Sequence, residues 1–197
     1  MSDSHADKMA RKKATHDHAM AGKTIERGLV VVHTGAGKGK TTAAFGMVLR
    51  CVGHGLRVGI VQFVKSNADT AEQRALASFG DRVTLRVMGE GFTWETQDRE
   101  RDAAAAKRAW EAAREMISDA DYRMVVLDEL NVVLRHGHLS AAEVVAALDG
   151  RPAATHVVVT GRGAPSELIE RADLVTEMKL LKHPFHDGVK AQPGVEF

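Results

Sequence analysis

The stretch that decides the fold is Leu29-Val30-Val31-Val32-His33-Thr34-Gly35-Ala36-Gly37-Lys38-Gly39-Lys40-Thr41-Thr42. Its apolar start reads as a buried strand, and a helical pattern over 41–52 follows at once. Between them, Gly35, Gly37 and Gly39 can take backbone angles closed to other residues and turn successive N–H groups inward, forming an anion nest at a helix N-terminus. Strand, glycines, lysine, threonine and helix in this order are the context that makes a phosphate-binding loop meaningful. Lys40 is expected to aim its charge at phosphate oxygens. Thr41 is expected to offer its hydroxyl to a Mg²⁺ bridging two phosphates, with Thr42 adding a further contact. The loop departs from the standard pattern at one place. Counting back from Gly39-Lys40-Thr41, the usual first glycine falls on Thr34, so this loop is either tighter or differently used.

Outward from the loop, short apolar runs recur at 58–64, 83–87, 124–127, 156–160 and 174–178, which with 29–32 makes six strand candidates. Several are nearly continuous in Val, Ile and Leu rather than alternating, as expected of strands covered by helices on both faces, so the sheet should be largely parallel. Helical patterns fill the gaps at 69–79, 98–118, 140–148 and 165–171. In the second of these, Ala103, Ala106, Trp110, Ala113 and Ile117 share one stripe, which makes Trp110 a core residue. Ser140 with Glu143 three residues later reads as a capping box. The expected fold class is therefore α/β, an open, doubly wound, mostly parallel sheet of about six strands with its ligands beyond the carboxyl ends of the strands.

A chain of 197 residues with 44% hydrophobic content suits one domain with a real core. The formal net charge of +1 gives no global pull toward nucleic acid or anionic lipid, so neither partner is expected. No apolar run approaches the roughly 20 residues of a membrane span, and the single cysteine, Cys51, reads as a small core residue in a reducing compartment. A cytoplasmic location is expected. Residues 1–27 lack sustained periodicity and read as a flexible arm preceding the domain at 28–197. That arm is either a bland tail or a segment that closes over a ligand.

Two carboxylates, Asp128 and Glu129, stand at the carboxyl end of the 124–127 run. Buried carboxylates are costly unless a cation pairs with them, so this Walker-B-like pair points to Mg²⁺, with helix capping by Asp128 as the alternative. Met88-Gly89-Glu90-Gly91-Phe92-Thr93-Trp94 places two large aromatics in a glycine-flanked loop. Composition alone leaves open whether Phe92 and Trp94 anchor the loop or face a flat apolar ligand. Arg162, after the fifth run, reaches either phosphate or ribose, or else serves a surface ion pair.

Taken together, the segments at 34–42 and 88–97, Val126-Leu127-Asp128-Glu129-Leu130-Asn131, Thr160-Gly161-Arg162-Gly163 and Lys182-His183-Pro184-Phe185 with Gly188-Val189-Lys190-Ala191-Gln192 resemble the P-loop ATP:corrinoid adenosyltransferase family across 28–197. The resemblance implies a RecA-like P-loop NTPase fold. It also implies transfer of the 5′-deoxyadenosyl group of ATP to a reduced Co(I) corrinoid, such as cobyrinic acid a,c-diamide or cobalamin, with release of triphosphate. Residues implied at the phosphates are Gly37, Lys38, Gly39, Lys40, Thr41 and Thr42; Gly35 and Ala36, as the start of the glycine loop, and Arg162, from its place after the fifth run, are further candidates for nucleotide binding. Mg²⁺ or Mn²⁺ falls to Thr41 and Glu129, with Asp128 less directly involved. Phe92 and Trp94 would lie against the lower face of the corrin, displacing its axial ligand. The implied partners are a second copy of the chain and an electron-donating reductase such as a flavoprotein. His183 and His186 receive no role, since a cobalt ligand would oppose a four-coordinate mechanism. A P-loop ATPase that hydrolyses the terminal phosphate, or a carrier that transfers nothing, would use the same loop.

Overall fold

The computed structural model describes residues 4–65, 69–89 and 99–196. Six strands, β1 (Val30–Thr34), β2 (Arg57–Gln62), β3 (Val83–Val87), β4 (Tyr122–Asp128), β5 (His156–Thr160) and β6 (Leu174–Glu177), form one sheet in the order β3-β2-β4-β5-β1-β6. Every pairing is parallel. The strands of the middle are buried on both faces because helices cross over each of them, which is why their sequences are nearly all Val, Ile and Leu. This is the open, doubly wound parallel sheet that the pattern of apolar runs predicts.

Helix α2 (Lys40–Gly53) and helix α3 (Ala71–Ala77) cover one face. Val31, Val58, Ile60, Val126 and Val158 pack there against Ala44, Val48 and Leu76. The other face takes α4 (Arg99–Ser118), α5 (Leu130–Arg135), α6 (Ala141–Asp149) and α7 (Ser166–Arg171). Trp110, Ile117, Leu148 and Leu168 meet Val30, Val32, Val125 and Val157 on that side. Trp110 is buried, as its place in the stripe implies, and Cys51 is buried too, which pushes its thiol pKa up.

Two features differ from expectation. Residues 5–21 form a helix, α1 (His5–Ala21), closed by a capping box in which Ser4 and Asp7 exchange hydrogen bonds. None of its residues is buried, so no hydrophobic period marks it in the sequence. The capping box expected at Ser140 does not form. Glu143 instead accepts a hydrogen bond from Trp110 Nε1 at 2.8 Å, a tie between α4 and α6 that outcompetes the local one. In the sheet, β5 lies between β1 and β4. The loop after β1 and the carboxylates after β4 therefore meet across one intervening strand.

Candidate active site

The carboxyl ends of the central strands set a polar row on the face that α2 covers. Parallel register aligns Gln62 with Asp128, and His33 with Thr160. All four are buried, and Asp128 is fully so. A bare carboxylate there would cost several kcal/mol, on the order given for uncompensated buried ions, so its partners matter. Thr41 and Thr160 each donate a hydroxyl to Asp128 Oδ1 at 2.8 Å, Gln62 Nε2 donates to Oδ2 at 2.9 Å, and Lys65 Nζ stands 3.6 Å from Oδ2. Gln73 in α3 extends the chain by donating to Gln62 Oε1 at 3.3 Å. Asp128 therefore spends both oxygens on holding Thr41 and its neighbours in place. His33, at the end of the row, has no hydrogen bond at either ring nitrogen among the described residues, and burial pulls its pKa down.

The glycine loop rests on this floor. Gly35 and Gly39 have φ of 98° and 100°, the left-handed region that glycine enters without steric cost. A side chain at Gly35 would collide with the carbonyl of Met178, and Gly37 N–H donates to that same carbonyl at 2.7 Å. The chain leaving β6 thus braces the loop from behind. Thr34, the position where a glycine is usual, ends β1 and uses its hydroxyl to accept from Ala164 N–H at 3.1 Å. A threonine fits because it ties the phosphate loop to the loop carrying Arg162.

Gly39 caps α2, so the first N–H groups of that helix point into the cleft with no partner in the helix. Lys40 is buried and folds back, donating to Gly35 O at 2.9 Å and Gly37 O at 2.5 Å. Burial lowers its pKa, while Glu129 opposes this. Glu129, directly after β4, adopts a left-handed backbone with φ of 65° and caps α5, its N–H donating to Thr160 Oγ1 at 2.9 Å. That kink turns its carboxylate into the cleft. Burial and the neighbouring Asp128 raise its pKa, and Lys40, Lys65 and Arg162 pull it back.

The resulting cleft holds about 480 Å³. The phosphate loop from Gly37 to Thr42 lines it, together with Lys65, Glu72, Glu129, Arg162, Val195 and Glu196. Gly35 and Ala36 lie outside the lining: Gly35 supplies a carbonyl to Lys40, and Ala36 is exposed. Arg162 is exposed and has no ion pair among the described residues, so it stands available to a ligand. Phe92 and Trp94 fall outside the described residues. His183 and His186 pack edge-on against Phe185 on the surface.

Gln62, Lys65 and Thr160 are members of the site whose roles the sequence reading did not assign. One signal was available, since Gln62 interrupts an otherwise apolar run at its carboxyl end. The floor as built positions a hydroxyl, an ammonium and a carboxylate around an anion nest, which suits a polyphosphate held with a hard cation.

Residues 26–197 match the family described as ATP:corrinoid adenosyltransferase BtuR/CobO/CobP. The chain belongs to the ATP:corrinoid adenosyltransferase family. A corrinoid adenosyltransferase of Pseudomonas aeruginosa is 54% identical over 193 residues, covering 98% of this chain and 95% of that one. One from Sinorhizobium sp is 54% identical over 195 residues, covering 98% and 91%. One from Escherichia coli strain K12 is 44% identical over 198 residues, covering both chains completely. For an adenosyltransferase, a nest that grips the whole polyphosphate is a grip on the leaving group. No helix among the described residues is long and apolar enough to cross a membrane.

Proposed function

We propose that this chain transfers the 5′-deoxyadenosyl group of ATP to the Co(I) centre of a corrinoid, and that the loop at 35–42 holds the departing triphosphate. The observation that carries this reading is Thr41, fixed by a fully buried Asp128 beside Lys40 at the mouth of an anion nest, in a chain of this family. The cobalt electron pair forms the Co–C bond as the C5′–O bond breaks, and the triphosphate leaves with that bonding pair. No proton need be removed, so the site supplies charge neutralisation and alignment rather than a general base. Lys40, swinging from the Gly35 and Gly37 carbonyls, and Lys38 and Arg162 from the rim meet the growing negative charge.

The donor set fits a Mg²⁺ or Mn²⁺ ion. Thr41 Oγ1 and the Glu129 carboxylate are hard oxygen donors that line the same cleft. A cation held by these two groups would draw its remaining oxygens from the substrate's phosphates and water. Held by Thr41 and Glu129, the ion would supply positive charge against the phosphates. Asp128, saturated by four neighbours, orients Thr41 rather than binding the ion itself.

Phe92 and Trp94 are proposed to wall the lower face of the corrin, since apolar rings cannot coordinate cobalt and so favour the four-coordinate state. The reading also includes a homodimer, a flavoprotein-type reductase and a cytoplasmic setting. A second copy of the chain finds support in the exposed apolar side chains of the edge strand β6 and the segment after it, Leu174, Val175, Leu180 and Leu181. The test is to incubate the protein with Mg-ATP and chemically reduced corrinoid and follow the product by mass spectrometry. Adenosylated corrinoid is expected. ADP without adenosylated corrinoid would replace transfer by hydrolysis, and no product would leave a carrier.

A further inference from the structure

The segment after β6 returns to the cleft. Gln192 O accepts from both Val195 N–H at 3.1 Å and Glu196 N–H at 2.9 Å, and Gly194 takes a φ of 79°, so a tight turn presents Val195 and Glu196 to the phosphate loop. Glu196 forms an ion pair with Lys38 Nζ, and its side chain is only 18% exposed. A carboxylate is an imperfect copy of a phosphate: it carries negative charge and acceptor oxygens and reaches the same ammonium. It stands where the nest and Lys38 offer positive charge, and it repels any second anion brought to that place.

We propose that Glu196 is a built-in competitor for the phosphate site, holding Lys38 until a polyphosphate displaces it. This rests on the reading of the loop as a triphosphate holder. Three consequences follow from the charge arrangement. Lys38 is kept next to the nest rather than extended into solvent, singly charged anions meet an occupied cation, and the displaced turn carries Val195 away from the cleft with Glu196. The same turn is free to return once triphosphate has left, and its return would oppose retention of that product.

The experiment measures binding of inorganic triphosphate to the full chain by titration calorimetry. Removing the competing charge with Glu196→Gln is expected to tighten binding about three- to tenfold, the range for a partly buried ion pair and the repulsion it replaces. Glu196→Asp, which keeps the charge, should stay nearer the parent. In a Lys38→Gln background the gain from Glu196→Gln should shrink, because the two residues act on one another. Unchanged or weaker binding by Glu196→Gln, with Lys40→Ala still losing triphosphate, would overturn the competitor role and leave the phosphate site standing. Undiminished binding by Lys40→Ala would overturn the site itself and the competitor with it.

Discussion

The floor of the cleft and its rim are built on opposite terms. On the floor, buried Gln62, Asp128 and Thr160 and half-buried Thr41 are joined by hydrogen bonds of 2.8 to 2.9 Å. On the rim, Lys38, Thr42 and Arg162 are exposed, and the ion pair of Lys38 with Glu196 joins two segments far apart in the chain. The floor meets its desolvation cost when the protein folds and is ready before any ligand arrives. The rim keeps its charges hydrated and exchanges partners as ligand comes and goes. Preorganised groups lose little on reaction, and that is where a site gains most of its effect on a charged leaving group.

Breaking the floor should cost most. Asp128→Ala strands two hydroxyls, an amide and an ammonium, and should lower stability by about 2–4 kcal/mol as well as abolish turnover; thermal unfolding and initial rates read the two effects. Equal stability in this variant would mean that the row is not the brace described. Next comes Lys40→Ala, at the join between floor and rim, with an expected fall of about 10²–10³ in kcat/KM for ATP. Arg162→Ala tests the rim alone: about a three- to tenfold rise in KM for ATP with an unchanged melting temperature. A large stability loss there would erase the distinction.

The smallest effect serves as a control from the other end of the sheet. Asp173 accepts from Arg27 Nη2 at 2.6 Å and from Val30 N–H at 2.8 Å, and the hydrogen bond from Arg27 is the main reason its carboxyl is held below the usual range. A carboxyl with a depressed folded pKa contributes stability above its ordinary pKa, and that contribution is lost as pH falls through the folded value. Asp173→Asn should therefore lower the melting temperature by a few degrees at neutral pH, with the deficit fading in acid and with no change in KM. A deficit that persisted in acid would assign the effect to packing instead.

The six strands and the phosphate loop were legible because each has a local cause: a buried run reads as a strand, and glycines before Lys40 read as a nest. The short helix α5 was not, since it follows the left-handed Glu129, a conformation that nothing in the residue type announces. Helix α1 went unseen because a helix that buries nothing carries no apolar period, although Ser4 and Asp7 do spell its cap. Glu143 shows the converse, a cap legible in the sequence and then spent on Trp110. In the site, Lys40, Thr41, Asp128 and Glu129 were readable from spacing. Gln62 and Thr160 join them only through the strand order, and Glu196 only through the return of the chain after β6. Contacts of that kind are set by topology, which a single strand's residues do not specify.

A loop that holds a whole triphosphate as leaving group requires that the bond that breaks is C5′–O. ATP carrying ¹⁸O at the oxygen bridging C5′ and the α-phosphorus decides this directly when turned over with Mg²⁺ and reduced corrinoid. Mass spectrometry should find the label entirely in inorganic triphosphate and none in the adenosylated corrinoid. Label retained in ADP or AMP, with no labelled triphosphate, would contradict it.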